Sequence, residues 1–477
     1  MDIPLDQYQE LAWAMARQRQ TILKKPWADA IALASVEHRL RKYLFVLSHY
    51  VDEKEAEPSK EYEVFVYLAR RILAYNEETK IQGWNKAIDY LAEPGDKENG
   101  ASSALILLPP YGDHKQLLAT AYNDVEALQP AIIKLWQKTN TKISIELIQR
   151  SDLLSTSNEF QIAALEYAAR SEDFTLDFFE GFYMALISGQ GEVHEHLLAP
   201  AIDAGLLRGD NNAKTAILRG IEQITDPEIT LKLLRLAALS GDNQFLPVLE
   251  SFTHTAPEHA YHLLALHGNK GAIPIMIEGL KNASQLEYAE QGWDLLTDVK
   301  LPQVPRMYLA ANSEDDFDEE SNFSAENNTD DDDFELGGDF DEEENKEDTV
   351  SDVRVAEQWW ADNSDSWQHE NRYLKGQLAH SQGLAKIIQT TAGLITADLL
   401  EALVLEQAQE QKQPLASTAD HSDSWCEHRN EFLQQYSEGE SDSDIANTQS
   451  SQATQAPLNK HARTTRTGQD ARNTTYA

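Results

Sequence analysis

Residues 226–252 read DPEITLKLLRLAALSGDNQFLPVLESF, and residues 256–280 repeat the pattern as APEHAYHLLALHGNKGAIPIMIEGL. Each copy places proline and then an acid in the first helical turn, where a missing N–H costs nothing and negative charge suits the helix dipole. Each apolar run ends at a glycine, Gly241 or Gly268, and six residues later a proline stands inside another short apolar run. This recurrence predicts stacked pairs of helices.

Earlier and weaker copies end at Gly189 and Gly220, and no segment alternates with period two, so we expect no strands. The pattern predicts an all-α fold, a HEAT-like α-solenoid in which each helix pair buries its apolar face against its neighbours. The alternative is an irregular all-helical domain in which the Pro-Gly punctuation is a coincidence.

Composition divides the rest of the chain. Helical spacing of apolar residues predicts an N-terminal helical module, and loss of large apolar residues marks the disordered parts. The predicted units are an N-terminal helical module at 1–100, the solenoid at 101–310, an acidic disordered linker at 311–352, a small Trp-containing helical module at 353–408 and a disordered polar tail at 409–477. Within that tail we expect one short helix around Trp425 to Leu433.

The acidic linker carries nineteen Asp or Glu residues between Glu314 and Asp348 against one lysine, Lys346. Like charges repel and few large apolar groups are present, so this stretch cannot offset its ordering entropy. We therefore predict an extended tether between two ordered pieces. It lacks the alternating acids and the glycine of an EF-hand loop, which argues against a calcium site.

The net charge limits the classes of partner, and the cysteine content indicates the compartment. There are 40 basic and 80 acidic residues, and such a chain repels nucleic acid and anionic lipid, so we expect a protein partner with a basic surface. A single cysteine, Cys426, excludes an internal disulfide and indicates a reducing compartment. We see no signal-peptide pattern and no apolar run long enough to span a bilayer, and we predict a cytoplasmic protein.

No motif supplies a catalytic group. The chain lacks a phosphate-binding loop, a nucleophile elbow and the His-Glu-x-x-His pattern of zinc peptidases. His194 and His196 point to different faces of a helix, whereas His259 and His262 share a face but lack a third ligand. Cys426 has no evident base. We therefore predict no catalytic, cofactor or metal residue, and no cofactor.

Three tryptophans, Trp359, Trp360 and Trp367, stand close together and are followed by Arg372 and Tyr373. Tryptophan is enriched among the residues that dominate binding energy at interfaces, so these five residues form a candidate protein-binding site. The alternative is that the indoles pack their own small module together, or pack it onto the solenoid, and we favour that alternative.

The chain resembles a family of bacterial HEAT-repeat proteins of unassigned activity that are often encoded among type VI secretion genes. The resemblance covers about residues 1–405 and includes Glu37-His38-Arg39-Leu40, the repeat around 260–274, the repeat end at 289–297, and the sequence Arg372-Tyr373-Leu374-Lys375-Gly376. Family members tend to have Thr-Gly at the repeat end, where this chain has Thr297-Asp298.

The resemblance implies a role in secretion. Our leading hypothesis is a non-enzymatic scaffold or adaptor that binds a type VI effector or spike component before loading. The rival hypothesis is a HEAT-fold metalloenzyme that modifies a protein side chain. Deoxyhypusine hydroxylases hold two irons with several His-Glu dyads, whereas this repeat region has one, His194-Glu195.

Overall fold

A computed structural model of the protein describes residues 4–51, 56–108, 114–305, 349–411 and 422–436. These ranges are mostly helical and contain 21 α-helices, which confirms the predicted all-α class. The expectation that no strands form is wrong, because six strands of two or three residues occur in the same ranges. In each strand pair, the two strands are either far apart in the sequence or joined by a tight turn.

The first five helices form one packed group. Helix α1 packs on α2 and α3, and α3 packs on α4 and α5. Asp29 caps the second helix by accepting a hydrogen bond from the Ile31 amide, which satisfies a donor that has no partner inside the helix. The bounds are α1 Leu5–Leu23, α2 Ala30–Leu47, α3 Glu61–Ile72, α4 Glu77–Leu91 and α5 Asp96–Leu107.

Twelve further helices follow in the described part of residues 114–305. The odd-numbered helices contact one another in sequence, α7 with α9, α9 with α11, α11 with α13, α13 with α15 and α15 with α17. The bounds are α6 His114–Asp124, α7 Gln129–Lys138, α8 Ile145–Ile148, α9 Asn158–Ala169, α10 Leu176–Ser188, α11 Glu195–Leu207, α12 Asn211–Gln223, α13 Pro227–Ser240, α14 Leu246–Phe252, α15 Pro257–His267, α16 Ala272–Lys281 and α17 Leu286–Thr297. We call α7, α9, α11, α13, α15 and α17 the helix row.

The repeated sequence signals act where the sequence places them. The Asp226 carboxylate accepts hydrogen bonds from the Glu228 and Ile229 amides at the start of α13. Gly241 and Gly268 end α13 and α15 in the left-handed conformation, with φ of 63° and 72°. Asp298 ends α17 with φ of 60°, so an aspartate takes the conformation that glycine provides elsewhere.

The remaining described elements come from the C-terminal part of the chain. Helices α18 to α21 span Val353–Asn363, Ser381–Thr390, Ile395–Gln411 and Cys426–Gln434. The last of these is the short helix expected within the polar tail. The strands are β1 Ala28–Asp29, β2 Gln303–Pro305, β3 Thr349–Ser351, β4 Tyr373–Leu374, β5 Gln377–Leu378 and β6 Thr391–Ala392, and they pair antiparallel as β1–β6, β2–β3 and β4–β5.

The C-terminal helices pack onto both earlier groups. Helix α20 lies against α11 and α13, α18 packs on α16, and α21 packs on α2. Pairing of β6 with β1 places Ala392 beside Ala28. One apolar core extends from Ala12 to Tyr436, so residues 353–408 and the predicted N-terminal module share a core with the helix row.

Buried polar contacts fix α21 on the N-terminal helices. The Glu37 carboxylate is fully buried; it accepts one hydrogen bond from Arg19 Nε at 2.9 Å and another from the Cys426 amide at 2.8 Å. The Trp425 indole N–H donates to the Leu107 carbonyl at 2.8 Å. These contacts join α1, α2 and α5 to a segment more than 300 residues further along the chain.

Most of the predicted acidic linker, residues 311–348, lies outside the described residues. At its end the prediction fails, because Thr349–Ser351 form strand β3 and Ser351 is fully buried. Strand β3 pairs with β2, so Pro305 lies opposite Thr349. Pro305 and Thr349, which flank the stretch 306–348, are therefore held side by side.

Of the helices in the described ranges, none combines the length and apolar character needed to cross a membrane.

Replacing residues 306–348 with a four-residue loop containing Asn-Gly should leave the fold intact, because β2 and β3 already hold the two junctions side by side. For the disordered tether that the sequence predicts here, each doubling of length costs about 0.6 kcal/mol, so this shortening should raise the free energy of unfolding by up to about 2 kcal/mol. Urea unfolding and circular dichroism of both chains provide the measurement. A variant that is unfolded or clearly less stable would contradict the expectation.

Gly268→Ala should destabilise the protein more than Gly189→Ala. Both glycines have positive φ, and alanine there costs about 1 kcal/mol in strain. A Cβ at Gly189 meets no atom within 4 Å, whereas a Cβ at Gly268 would lie 2.4 Å from the Tyr373 carbonyl oxygen. Thermal unfolding of the two variants measures the difference. Equal losses of stability would show that residues 372–376 move to accommodate the added methyl group.

Candidate functional site

A cavity of about 600 Å³ opens beside the helix row, and we call it the central cavity. Its walls come from α7, α9, α11 and α13, with α20 and Phe432 of α21 closing one side. The volume lies within the range of about 300 to 1,000 Å³ that ligand sites occupy in proteins. Charged groups of both signs line it.

Five charged side chains form an ion cluster at the wall made by α20. Arg235 donates from Nε to Asp398 and from Nη2 to Glu401, each at 2.6 Å. Arg170 Nη2 lies 3.3 Å from Asp203 Oδ2 and 3.5 Å from Glu401 Oε1. Because Asp398 and Glu401 are three residues apart, both lie on one face of α20 and meet the arginines together.

The protonation states follow from burial and from these neighbours. Burial opposes ionisation of Asp398, but a hydrogen bond from His262 and the charge of Arg235 hold the pKa of Asp398 below its usual value. Burial also opposes the charge on Arg235, but Glu401 and Asp398 outweigh that effect and raise its pKa. Asp398 and Arg235 are therefore both charged at neutral pH.

Asp203 and Glu166 are two acids of the central cavity whose pKa is raised. Burial raises the pKa of Asp203 to about 6, although Arg170 opposes the shift. Burial raises the pKa of Glu166 as well, against the opposing charge of Lys134. Unfolded aspartate titrates at about 3.9, so the contribution of Asp203 to stability is fully present below that pH and is lost as the pH rises through 6.

The tryptophans proposed as a binding site pack against α17 and one another. Trp359 is half-buried, and its ring lies 5.4 Å from the fully buried Trp293 of α17 in an edge-to-face arrangement. Trp367 is buried and stacks on Tyr373 at 4.2 Å. Trp360 is half-buried, with the Lys270 ammonium 5.7 Å from the centre of its ring.

Arg372 begins a segment, Arg372–Gly376, that runs across the C-terminal ends of three helices. Its guanidinium donates to the carbonyls of Leu239 and Leu266 at the ends of α13 and α15. The Gly376 amide then donates to Leu296 of α17 at 2.9 Å. Helix-end carbonyls have no partner inside the helix, so this segment satisfies them from outside.

Three of the five residues suggested for partner binding, Trp367, Arg372 and Tyr373, are therefore engaged in internal contacts. Trp359 and Trp360 retain partial exposure. A protein-binding role for this group stays a prediction. The central cavity and its ion cluster were missed by the sequence analysis.

Among the residues weighed for metal or covalent chemistry, His194 and His196 lie close together, with ring centres 6.3 Å apart. His196 Nε2 is hydrogen-bonded to Gln161 Oε1, and His262 faces Asp398. No group of three or more metal-ligating side chains occurs in the part of the chain that the structure describes. Cys426 is buried, not exposed in a polar tail, and burial together with the charge of Glu37 raises the pKa of its thiol to about 12.

No protein-family model, curated protein or solved structure matches this chain. The resemblance to HEAT-repeat proteins of type VI gene clusters therefore stays a prediction.

Glu401→Ala should lower the free energy of unfolding by about 2 to 4 kcal/mol, because it leaves the half-buried Arg170 and Arg235 with fewer partners. Glu278→Ala on α16 is the matched control. That glutamate pairs with Lys281 on the exposed surface, where an ion pair contributes little. Urea unfolding measures both, and losses of similar size would mean that the ion cluster does not hold α20.

Proposed function

We propose that this chain is a non-enzymatic protein-binding scaffold whose helix row forms a HEAT-like solenoid. One observation carries the proposal: the helix row binds α20 of the same chain along α11 and α13, and the central cavity remains open beside it. A surface that receives one helix through matched charges and apolar packing has the chemistry to receive a segment of another protein.

The contact pattern supports the solenoid interpretation. In a stacked array each helix pair contacts its neighbours, and alternate helices form a continuous inner row. The odd-numbered helices from α7 to α17 contact one another in that order. Proline stands in the first turn of α13 and α15, and a left-handed residue ends α13, α15 and α17, so these helices have similar termini.

Two features of the chain indicate the kind of partner. The resemblance to proteins of type VI gene clusters favours an effector or a spike component that awaits loading. The acidic composition favours a partner with a basic surface. We place the partner at the central cavity and keep Trp359 and Trp360 as a second, smaller surface.

Affinity capture with the tagged chain in a native host tests the proposal. We expect a type VI effector or spike component to be recovered, and deletion of the gene to reduce secretion. The double variant Lys134→Glu/Lys232→Glu reverses two positive charges at the exposed rim of the cavity and should change recovery. Lys25→Glu/Lys300→Glu makes the same charge change outside the cavity and should not.

Recovery of no specific partner, together with normal secretion in the deletion strain, would overturn the proposal. Equal recovery with both double variants would move the binding surface away from the central cavity.

A further inference from the structure

Asp203 is a buried acid in an otherwise apolar part of α11. Only 8% of the residue is exposed, and it lines the central cavity. Its Oδ2 lies 3.3 Å from Arg170 Nη2, whereas among the described residues no group donates to its Oδ1. A buried acceptor without a donor is costly, by about 1 to 3 kcal/mol. That oxygen is closed to solvent as the side chain stands, so a ligand in the cavity donates to it only when the carboxyl group turns toward the cavity, and this turn relieves the cost.

The charges around Asp203 leave an excess of acid. Glu166 lines the same cavity, and its charge is among those that raise the pKa of Asp203. The two nearby guanidinium groups, Arg170 and Arg235, are already engaged with Asp203 and with the two acids of α20. With the lysines included, six carboxyl groups and five basic side chains line the cavity, so acid remains in excess.

We propose that the central cavity receives an arginine side chain of the partner protein, whose guanidinium donates to Asp203 Oδ1 and Glu166. The inference rests on the proposed function, since it names the partner group that the scaffold recognises. A guanidinium brings five donors in a planar fork and keeps its charge at any physiological pH. It supplies the donor that Asp203 Oδ1 lacks and offsets the excess of acid.

The rim of the cavity adds a second element of recognition. Lys134 and Lys232 line the cavity and are exposed, and both act on Glu166 through their charge. A partner sequence in which the arginine is followed by an acidic residue places opposite charge at that rim. The preferred probe is therefore a short peptide with Arg-Glu at its centre.

Binding of acetyl-Gly-Arg-Glu-Gly-amide to the full chain, measured by calorimetry or NMR, tests the inference. The matched peptide carries citrulline, which keeps the shape of arginine but has no charge. We expect the citrulline peptide to bind at least about ten-fold more weakly, the loss typical of a charge-assisted hydrogen bond. Lowering the pH from 7.5 to 5 should weaken binding of the arginine peptide, because protonation of Asp203 removes the negative charge of its carboxyl group.

Variants distinguish binding of the peptide in the cavity from its general attraction to an acidic protein. Asp203→Asn should weaken binding of the arginine peptide by about ten-fold or more. Glu228 is an exposed acid at the same cavity, and Glu228→Gln should change the affinity little. Glu166→Gln is the second test if Asp203→Asn does not fold. Equal binding of the arginine and citrulline peptides, or equal effects of the variants at 203 and 228, would overturn the inference.

The same variants distinguish this inference from the proposed function. A partner captured equally well by the wild-type chain and by folded Asp203→Asn would leave the scaffold function in place and remove the arginine site. Arginine-dependent peptide binding without any captured partner would support the site and count against the scaffold.

Discussion

The pairing of Arg170 and Arg235 with two acids of α20 is the interaction on which the rest of the structure depends. Helix α20 presents apolar groups on several of its faces, since Leu399, Leu400, Leu403, Val404 and Leu405 are all buried. Apolar burial is non-directional and leaves the rotation of such a helix weakly specified. Asp398 and Glu401 remove that freedom, because a single orientation places both acids against the arginines. The cost of burying charge is offset by specificity of placement.

A second constraint acts at the helix ends. Helices α13, α15 and α17 each leave carbonyls without intrahelical partners, and Arg372 and Gly376 supply donors to all three. The close approach needs glycine at position 268, where any Cβ would meet the backbone of Tyr373. The segment after the acidic stretch is therefore part of the same folded body as the helix row.

Local signals in the sequence were sufficient for the helices but not for their long-range partners. Proline, acid and glycine punctuation identified α13 to α16, because caps act within one turn. Strand pairs such as Ala28 with Ala392 join residues far apart, and no local pattern encodes them. Two signals in the sequence could have located the site: Asp203 is the one acid among the apolar residues 197–207, and Asp398 and Glu401 interrupt another apolar run. Buried acids in apolar helices need partners.

The docking of α21 on the first two helices has a consequence for synthesis. Arg19 donates to the carbonyl of Asp423, 404 residues further along the chain. At about 5 to 20 residues per second, the ribosome needs about 20 to 80 seconds to produce that partner after Arg19. During this interval Glu37, Leu107 and the apolar surface beneath α20 are without their C-terminal contacts. The nascent chain thus exposes the surface that the finished protein covers, and interaction with chaperones is favoured at this stage.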